Sequence, residues 1–346
     1  MNSYSENAAG TEATLRLYTY RDYCALVGRF QNIHAELDLE ACRQEGFQYN
    51  RRLTGGGAII MGREQLGLCL ATANTFGAAN TRELYQLFST PVIKALEHFG
   101  IGAQLRGKND LEVEGKKIAG LGIHVNPHGA IQFHTSLLVG LDIPLMLKVL
   151  KIPMQKIGDK AQVNKVAQRI TTVSRALGRT LTTGEVRELV KAQFRAHFGV
   201  QLENQPLTAG EKAGIEKLTN ERYRNEEWIF HNSPQPDMNG MGLKKTPAGL
   251  LRTYVALKGE TIKSVLITGD FFGQESLFRQ IEVNLKWSAL DKELVKRKVH
   301  QAFVELGHTT PELSADDVNE AIWRAALGAM KEVQFTYKGS CYFPKK

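Results

Sequence analysis

Asn50–Gly62 reads NRRLTGGGAIIMG. Two arginines lead through Leu53 and Thr54 into three glycines, and an apolar run begins at once. Each glycine loses more backbone freedom on folding than any other residue, so a triple needs a reason. Bare glycine backbone lets a ligand approach closely and offers several N–H groups to an anion. Arg51 and Arg52 add fixed charge in a geometry that suits carboxylate or phosphate. The apolar AIIM reads as a buried strand. The stretch predicts an anion-binding loop anchored on a sheet.

Outward from that loop, hairpins alternate with single helices. Thr14–Phe30 reads as strand, turn, strand, with Arg21-Asp22 at the turn, and Ile33–Gly46 reads as one helix closed by a glycine. Past the loop come the strand LGLCLAT and an amphipathic helix, capped by Thr81 and closed by Gly100. Asp110–Val125 is a hairpin about a Glu-Gly turn, Ile131–Leu141 a further strand, and two helices follow, Pro144–Ile152 and Thr182–Gly199. This order predicts an α+β domain with a mainly antiparallel sheet. Asn232–Gly242, dense in Pro, Asn and Gly, reads as a linker. Beyond it, strands about a Lys-Gly turn and three helices predict a second, small α+β domain. The expected organisation is a disordered segment 1–14, a core at 15–234, a linker at 235–242 and an accessory domain at 243–346.

Composition narrows the function. The chain has 346 residues, enough for two domains, with 42% apolar and 23% charged residues, the proportions of a globular protein with a core. No apolar stretch is long enough for a bilayer, and the polar N-terminus lacks the apolar region of a signal peptide. A cytoplasmic protein without membrane attachment is expected. Cys24, Cys42, Cys69 and Cys341 form no CxxC pair and read as free thiols. The net charge of +8 favours an acidic partner. Nucleic acid is set aside because no aromatic–basic interleaving accompanies the charge.

Two motifs look like sites and fail on chemistry. GAQLRGKN (Gly102–Asn109) nearly spells a P-loop, yet it ends in Asn109 where the Mg²⁺-binding hydroxyl belongs, and it leads into a strand. His124, His128 and His134 straddle a Pro-His-Gly turn with no acidic or cysteine ligand beside them. Lys117 is different. It stands at the start of a strand, just past a tight turn, before the small-residue run IAGLG, where an ammonium can meet developing negative charge. Asn109 and Asp110, at the preceding strand, suit phosphate or Mg²⁺.

Taken together, these segments resemble the lipoate–protein ligase family, within the biotin/lipoate ligase group. VGRFQN (Val27–Asn32) is similar to the family's GRxQN. RRLTGGGA (Arg51–Ala58) is similar to its RRxSGGGA. GKNDLEVEGKKIAGLG (Gly107–Gly122) resembles RNDL…GRKISGSA, and FHTSLLVGLDI (Phe133–Ile143) resembles FHHGTLLLNxDL. NEEWIFHNSP (Asn225–Pro234) is similar to the tryptophan segment that ends the ligase core. The resemblance spans about Leu15–Pro234, and the remainder resembles, more weakly, the accessory domain of the long ligases.

The resemblance implies a class II synthetase-like core with flanking helices. It implies ATP-dependent activation of lipoate or octanoate to an acyl-adenylate, with Mg²⁺, and transfer to a lysine of a lipoyl-type acceptor domain, here expected to be acidic. Lys117 would match the essential lysine. Arg51, Arg52, Thr54, Gly55, Gly56, Gly57 and Ala58 would line the acyl and adenylate pocket, with Gly28, Arg29 and Gln31 at a neighbouring wall. Asn109 and Asp110 would meet phosphates and Mg²⁺. Ala119, Gly120, His134 and Thr135 would complete the binding surface. Three departures stand out. Met61-Gly62 replaces the family's His-Asp, AGLG replaces SGSA, and Thr135 replaces a glycine. Two other readings share the pocket: an octanoyltransferase, which needs a cysteine nucleophile absent from Ile131 and from residues 104–110, and a non-catalytic lipoate-binding protein.

Overall fold

A computed structural model describes residues 13–73, 80–107, 109–126, 129–151, 167–271, 273–308 and 312–333. The segment expected to be disordered at 1–14 therefore lies, up to residue 12, outside the described residues, as do His128 and Cys341. By contacts the chain divides into two compact units. One comprises Met1–Leu26, Glu36–Thr54 and Ile59–Ile229, the other Val27–Ala35, Gly55–Ala58 and Phe230–Lys346. The fold is α+β throughout.

The first unit is built on a six-stranded antiparallel sheet. Its strands are β1 (Thr14–Tyr18), β5 (Gln65–Ala73), β6 (Ala103–Arg106), β7 (Asp110–Val113), β8 (Lys116–Val125) and β9 (Ala130–Leu138), ordered β1-β5-β9-β8-β7-β6. A smaller sheet pairs β3 (Gln48–Arg51), β2 (Cys24–Val27) and β4 (Ile59–Met61). The expected Glu-Gly hairpin is present. Glu114 and Gly115 have φ of 50° and 73°, the doubly left-handed pair of a tight hairpin turn. The start of GAQLRGKN forms β6, which pairs antiparallel with β7, where a P-loop would follow a strand and enter a helix.

Alternation along the strands decides which face carries chemistry. Leu66, Leu68 and Leu70 of β5, Ile131, Phe133 and Leu137 of β9, and Ala119 and Leu121 of β8 pack in one core with helices Thr81–His98 and Thr183–Phe198. The opposite face carries the intervening residues. In register across it run Gly67, Ser136, Gly120 and Asp110, and beside them Cys69, His134 and Gly122.

Helix ends differ from the sequence reading in two places. The cap of helix Thr81–His98 is Asn80, whose side chain accepts from Glu83 N–H, while Gly100 at φ 78° follows its end. Ile33–Gly46 is two pieces, Ile33–Glu36 and Leu39–Gln44. Leu37 bridges Leu150 between them, and Asp38 caps the second piece by accepting from the N–H groups of Glu40 and Ala41. Helix Thr81–His98 also contains Pro91, which leaves the Leu87 carbonyl without its helical donor. The His197 ring donates to that carbonyl.

The second unit pairs β10 (Gly240–Thr246), β11 (Gly249–Lys258), β12 (Thr261–Gly269) and β13 (Ser288–Ala289) in that order, antiparallel, against helices Glu275–Leu285, Lys292–Glu305 and Ala315–Val333. Three residues expected in the linker, 240–242, already belong to β10. Gly240 and Gly242 lie so near the last helix that a Cβ would stand 2.0 and 2.1 Å from the Ala325 and Ala321 carbonyl oxygens. No helix among the described residues is long and apolar enough to cross a membrane.

Candidate functional site

The chemistry-bearing face of the six-stranded sheet gathers two small groups of side chains. In the first, Lys117 Nζ lies 2.7 Å from Asp110 Oδ1, with both side chains about one-third exposed. A Cβ at Gly120 would be 3.4 Å from that ammonium, so the end of the lysine lies over the glycine. The lysine backbone is fixed on two sides. It pairs with Glu112 across the hairpin and bridges Ile170, and its carbonyl accepts from Thr171 N–H at 2.9 Å. Thr171 carried no sequence signal, because its role is through backbone alone.

In the second group, Thr54 Oγ1 lies 2.8 Å from His134 Nε2. Burial, assisted by the charge of Arg52, pulls the His134 pKa down to about 4. The imidazole is therefore neutral at physiological pH. Burial also draws Arg52 down to about 10, which leaves it charged, and its Nη1 donates to the Leu26 carbonyl at 3.2 Å. The His134 ring lies directly over Gly122, where a Cβ would come within 2.2 Å of Nε2. The family's alanine at this position could not coexist with this ring placement. Gly122→Ala is accordingly expected to push His134 away from Thr54. Its pKa, followed by NMR, should rise toward the ordinary value near 6.5, and activity should fall by about a hundredfold, the cost of an ångström-scale misplacement. An unchanged titration would sink this assignment.

Other expected residues stand elsewhere. Arg51 is 1% exposed. Its Nε donates to the Trp228 carbonyl at 3.0 Å and its Nη2 to the Ile229 carbonyl at 3.1 Å, while Trp228 Nε1 donates back to the Arg51 carbonyl. Asn109 donates to the Leu121 carbonyl at 2.8 Å and serves the hairpin. Ala119 is in the core, and Thr135 falls on the core side of its strand by alternation. Ser136, missed in the sequence, shares the face of His134 and could have been found from the same alternation.

The GRFQN and GGG segments belong to the second unit. Gly28 N–H donates to Gln31 Oε1 at 2.8 Å, closing a local turn. Arg29 pairs with Glu275 at 2.9 Å, Phe30 stacks on Phe271 at 5.0 Å, and Asn32 donates to the Tyr254 hydroxyl. Gly56, at φ 90°, donates its N–H to the Phe271 carbonyl. Gly55 is buried, Gly57 exposed and Ala58 half-buried.

The Gly62 half of the Met61-Gly62 departure has a steric counterpart. A Cβ at Gly62 would meet the Tyr23 ring at 2.5 Å, and Tyr23 is stacked on Phe47 at 4.9 Å. Met61 is 2% exposed and pairs with Cys24 in the small sheet. An aspartate at 62 would require Tyr23 to leave its stack. Cys24, Cys42 and Cys69 are free and buried. Among the described residues no group of three His, Cys, Asp or Glu could hold a metal ion.

Comparison with known proteins agrees with this architecture. The family model for the lipoyl protein ligase A/B catalytic domain matches residues 2–195. The lipoate-protein ligase LplJ of Bacillus subtilis is 29% identical over 249 residues, 72% of this chain and 73% of that protein. The octanoyltransferase LipM of Geobacillus kaustophilus is 26% identical over 241 residues, 63% of this chain and 86% of its own length. Among solved structures, the bi-partite lipoate protein ligase of Thermoplasma acidophilum, described with its E2 lipoyl domain, is similar in fold. It has a TM-score of 0.60 at 22% identity, covering 68% of this chain and 90% of that one. The chain is a member of the lipoate ligase family, within the lipoyl protein ligase A/B group.

Proposed function

We propose that this protein is an ATP-dependent ligase that joins lipoate or octanoate to one lysine of an acceptor protein. The observation that carries the reading is Lys117, an ammonium held beside Asp110 over Gly120. A carboxylate is a poor acyl donor. In the proposed reaction its oxygen attacks the α-phosphorus of ATP and pyrophosphate leaves. The acceptor lysine then attacks the acyl carbonyl, and AMP leaves with the bonding pair of the C–O bond. Lys117 donates to the oxygens that carry negative charge in both steps, where a preorganised donor counts most. The neutral His134, bonded to Thr54, lines the acyl side without adding charge. Asp110 is the carboxylate available to Mg²⁺. One acid is a poor resident site for a hard cation, which takes six or more oxygens, so the ion would enter with the nucleotide phosphates. The excess positive charge favours an acceptor domain with an acidic face, by steering.

A second reading rests on Cys69, which pairs in register with His134 on the same face. A cysteine beside a neutral imidazole is the arrangement of an acyl-enzyme transferase. Burial pushes the Cys69 thiol up, against ready ionisation and attack, and outweighs the opposing effect of Gln132 Nε2, which donates to the sulfur at 3.4 Å. Intact-mass spectrometry of apo lipoyl domains separates the readings. Acylation that requires ATP and free acid, with pyrophosphate released, is the expected result. Transfer from an acyl-carrier protein without ATP, with a thioester on Cys69, would replace it with the transferase. Neither acylation nor pyrophosphate under any condition would leave a non-catalytic binding protein.

A further inference from the structure

The β6–β7 turn stands at the end of the six-stranded sheet where Lys117 meets Asp110. β6 is the outermost strand of that sheet, and Arg106 lies opposite Asp110 in register. It therefore shares the face of Asp110, one strand or about 5 Å further out. Its neighbour Leu105 packs against the core, as alternation requires. The Arg106 side chain is exposed, and its Nη2 donates to Gln104 Oε1 at 3.0 Å. Arg82, also exposed, comes to the same turn from helix Thr81–His98 on the core side, and its Nη1 donates to the Gly107 carbonyl at 3.1 Å. Neither guanidinium forms an ion pair among the described residues, whereas Lys117 and Asp110 neutralise each other. The rim of the site thus carries two uncompensated positive charges. They reach the turn from opposite sides of the sheet. A small anion on the chemistry-bearing face would meet Arg106 alone, while a surface that spans the turn would meet both.

We infer that Arg106 and Arg82 form a docking rim for an acidic face of the acceptor protein. This rests on the ligase reading, in which the acceptor lysine must come to the acyl carbonyl beside Lys117. Carboxylates that flank that lysine then accept from the two guanidiniums, whose planar fork matches a carboxylate. Exposed pairs of this kind add little static energy. Their effect is on encounter and orientation, which speeds association and weakens with salt. The adenylation step involves no acceptor and does not call on either arginine.

The test uses an apo lipoyl domain whose acceptor lysine is flanked by aspartate or glutamate, with KM measured across a range of ionic strength. In the double variant Arg82→Glu, Arg106→Glu, the KM for this domain should rise about tenfold at low salt and lose most of its salt dependence, with kcat near wild type. Pyrophosphate release from ATP and lipoate without acceptor should be unchanged. Reversal of the domain's flanking acids to lysine should recover the KM of the double variant. An unchanged KM for the domain overturns the proposal. A raised KM for ATP or slower pyrophosphate release also overturns it, and assigns Arg106 to the nucleotide phosphates. Isothermal titration of the same domain without ATP separates this from the ligase reading. Weaker binding to the double variant than to wild type upholds the docking rim even if no adenylate forms, and equal binding removes it.

Discussion

Lys117→Ala is expected to lower acyl-adenylate formation by about a hundredfold or more, while thermal and chemical stability stay within about 1 kcal/mol of wild type. The first half follows from what the ammonium does. It is a cation held beside Asp110 over Gly120, and deletion of a single preorganised donor to developing charge is among the most damaging changes an active site can suffer. The second half follows from exposure. The Lys117–Asp110 pair is about one-third exposed on each side, so water can replace the lost partner. The lysine's position is also kept by backbone contacts to Glu112, Ile170 and Thr171, which alanine retains. Pyrophosphate release with lipoate and ATP, beside a denaturation curve, measures both. Wild-type turnover would remove Lys117 from the reaction; a large loss of stability would make it a structural residue.

The parts of this protein that the sequence predicts are those fixed by local rules. The Asp110–Val125 hairpin is set by Glu114-Gly115, where two adjacent residues must be left-handed. The candidate face follows from period-two alternation, which sends Leu66, Leu68 and Leu70 one way and Gly67 and Cys69 the other. What the sequence does not reveal depends on distant partners. Helix Ala209–Leu218 buries none of its residues, so it has no apolar stripe to announce it. The GRFQN segment is read as part of the core, yet Arg29–Glu275, Asn32–Tyr254 and Phe30–Phe271 tie it to residues more than two hundred positions away. Motif matching assigns Arg51 to the ligand, and its bonds to the Trp228 and Ile229 carbonyls, which lie far along the chain, are not legible in that motif. Thr54, His134 and Gly122 are three separate motif positions in the sequence. Their dependence on one another appears only when register puts His134 opposite Gly122.

Arg51→Ala tests the largest of these differences, and it is expected to destabilise the first unit by about 3–5 kcal/mol. The guanidinium is almost wholly buried and donates to two successive carbonyls, Trp228 and Ile229, that end the short helix Glu226–Ile229. Helix ends leave such carbonyls without donors, and a buried one must find another. Removal of the side chain leaves both unsatisfied and opens a cavity besides. The neighbourhood reinforces the clamp. Asn50 Nδ2 donates to the Tyr223 carbonyl at 2.7 Å, in the π-helical turn Thr219–Tyr223, and Arg222 lies over the Trp228 ring at 5.3 Å. Arg51→Lys should recover little, because one ammonium cannot reproduce the planar fork that reaches both carbonyls. Trp228 fluorescence offers a local readout: in Arg51→Ala its emission should shift toward that of an exposed indole at denaturant concentrations where wild type is still folded. If Arg51→Ala unfolds with wild type and loses only lipoate or ATP affinity, the arginine of NRRLTGGG is a ligand after all, and its carbonyl bonds are incidental.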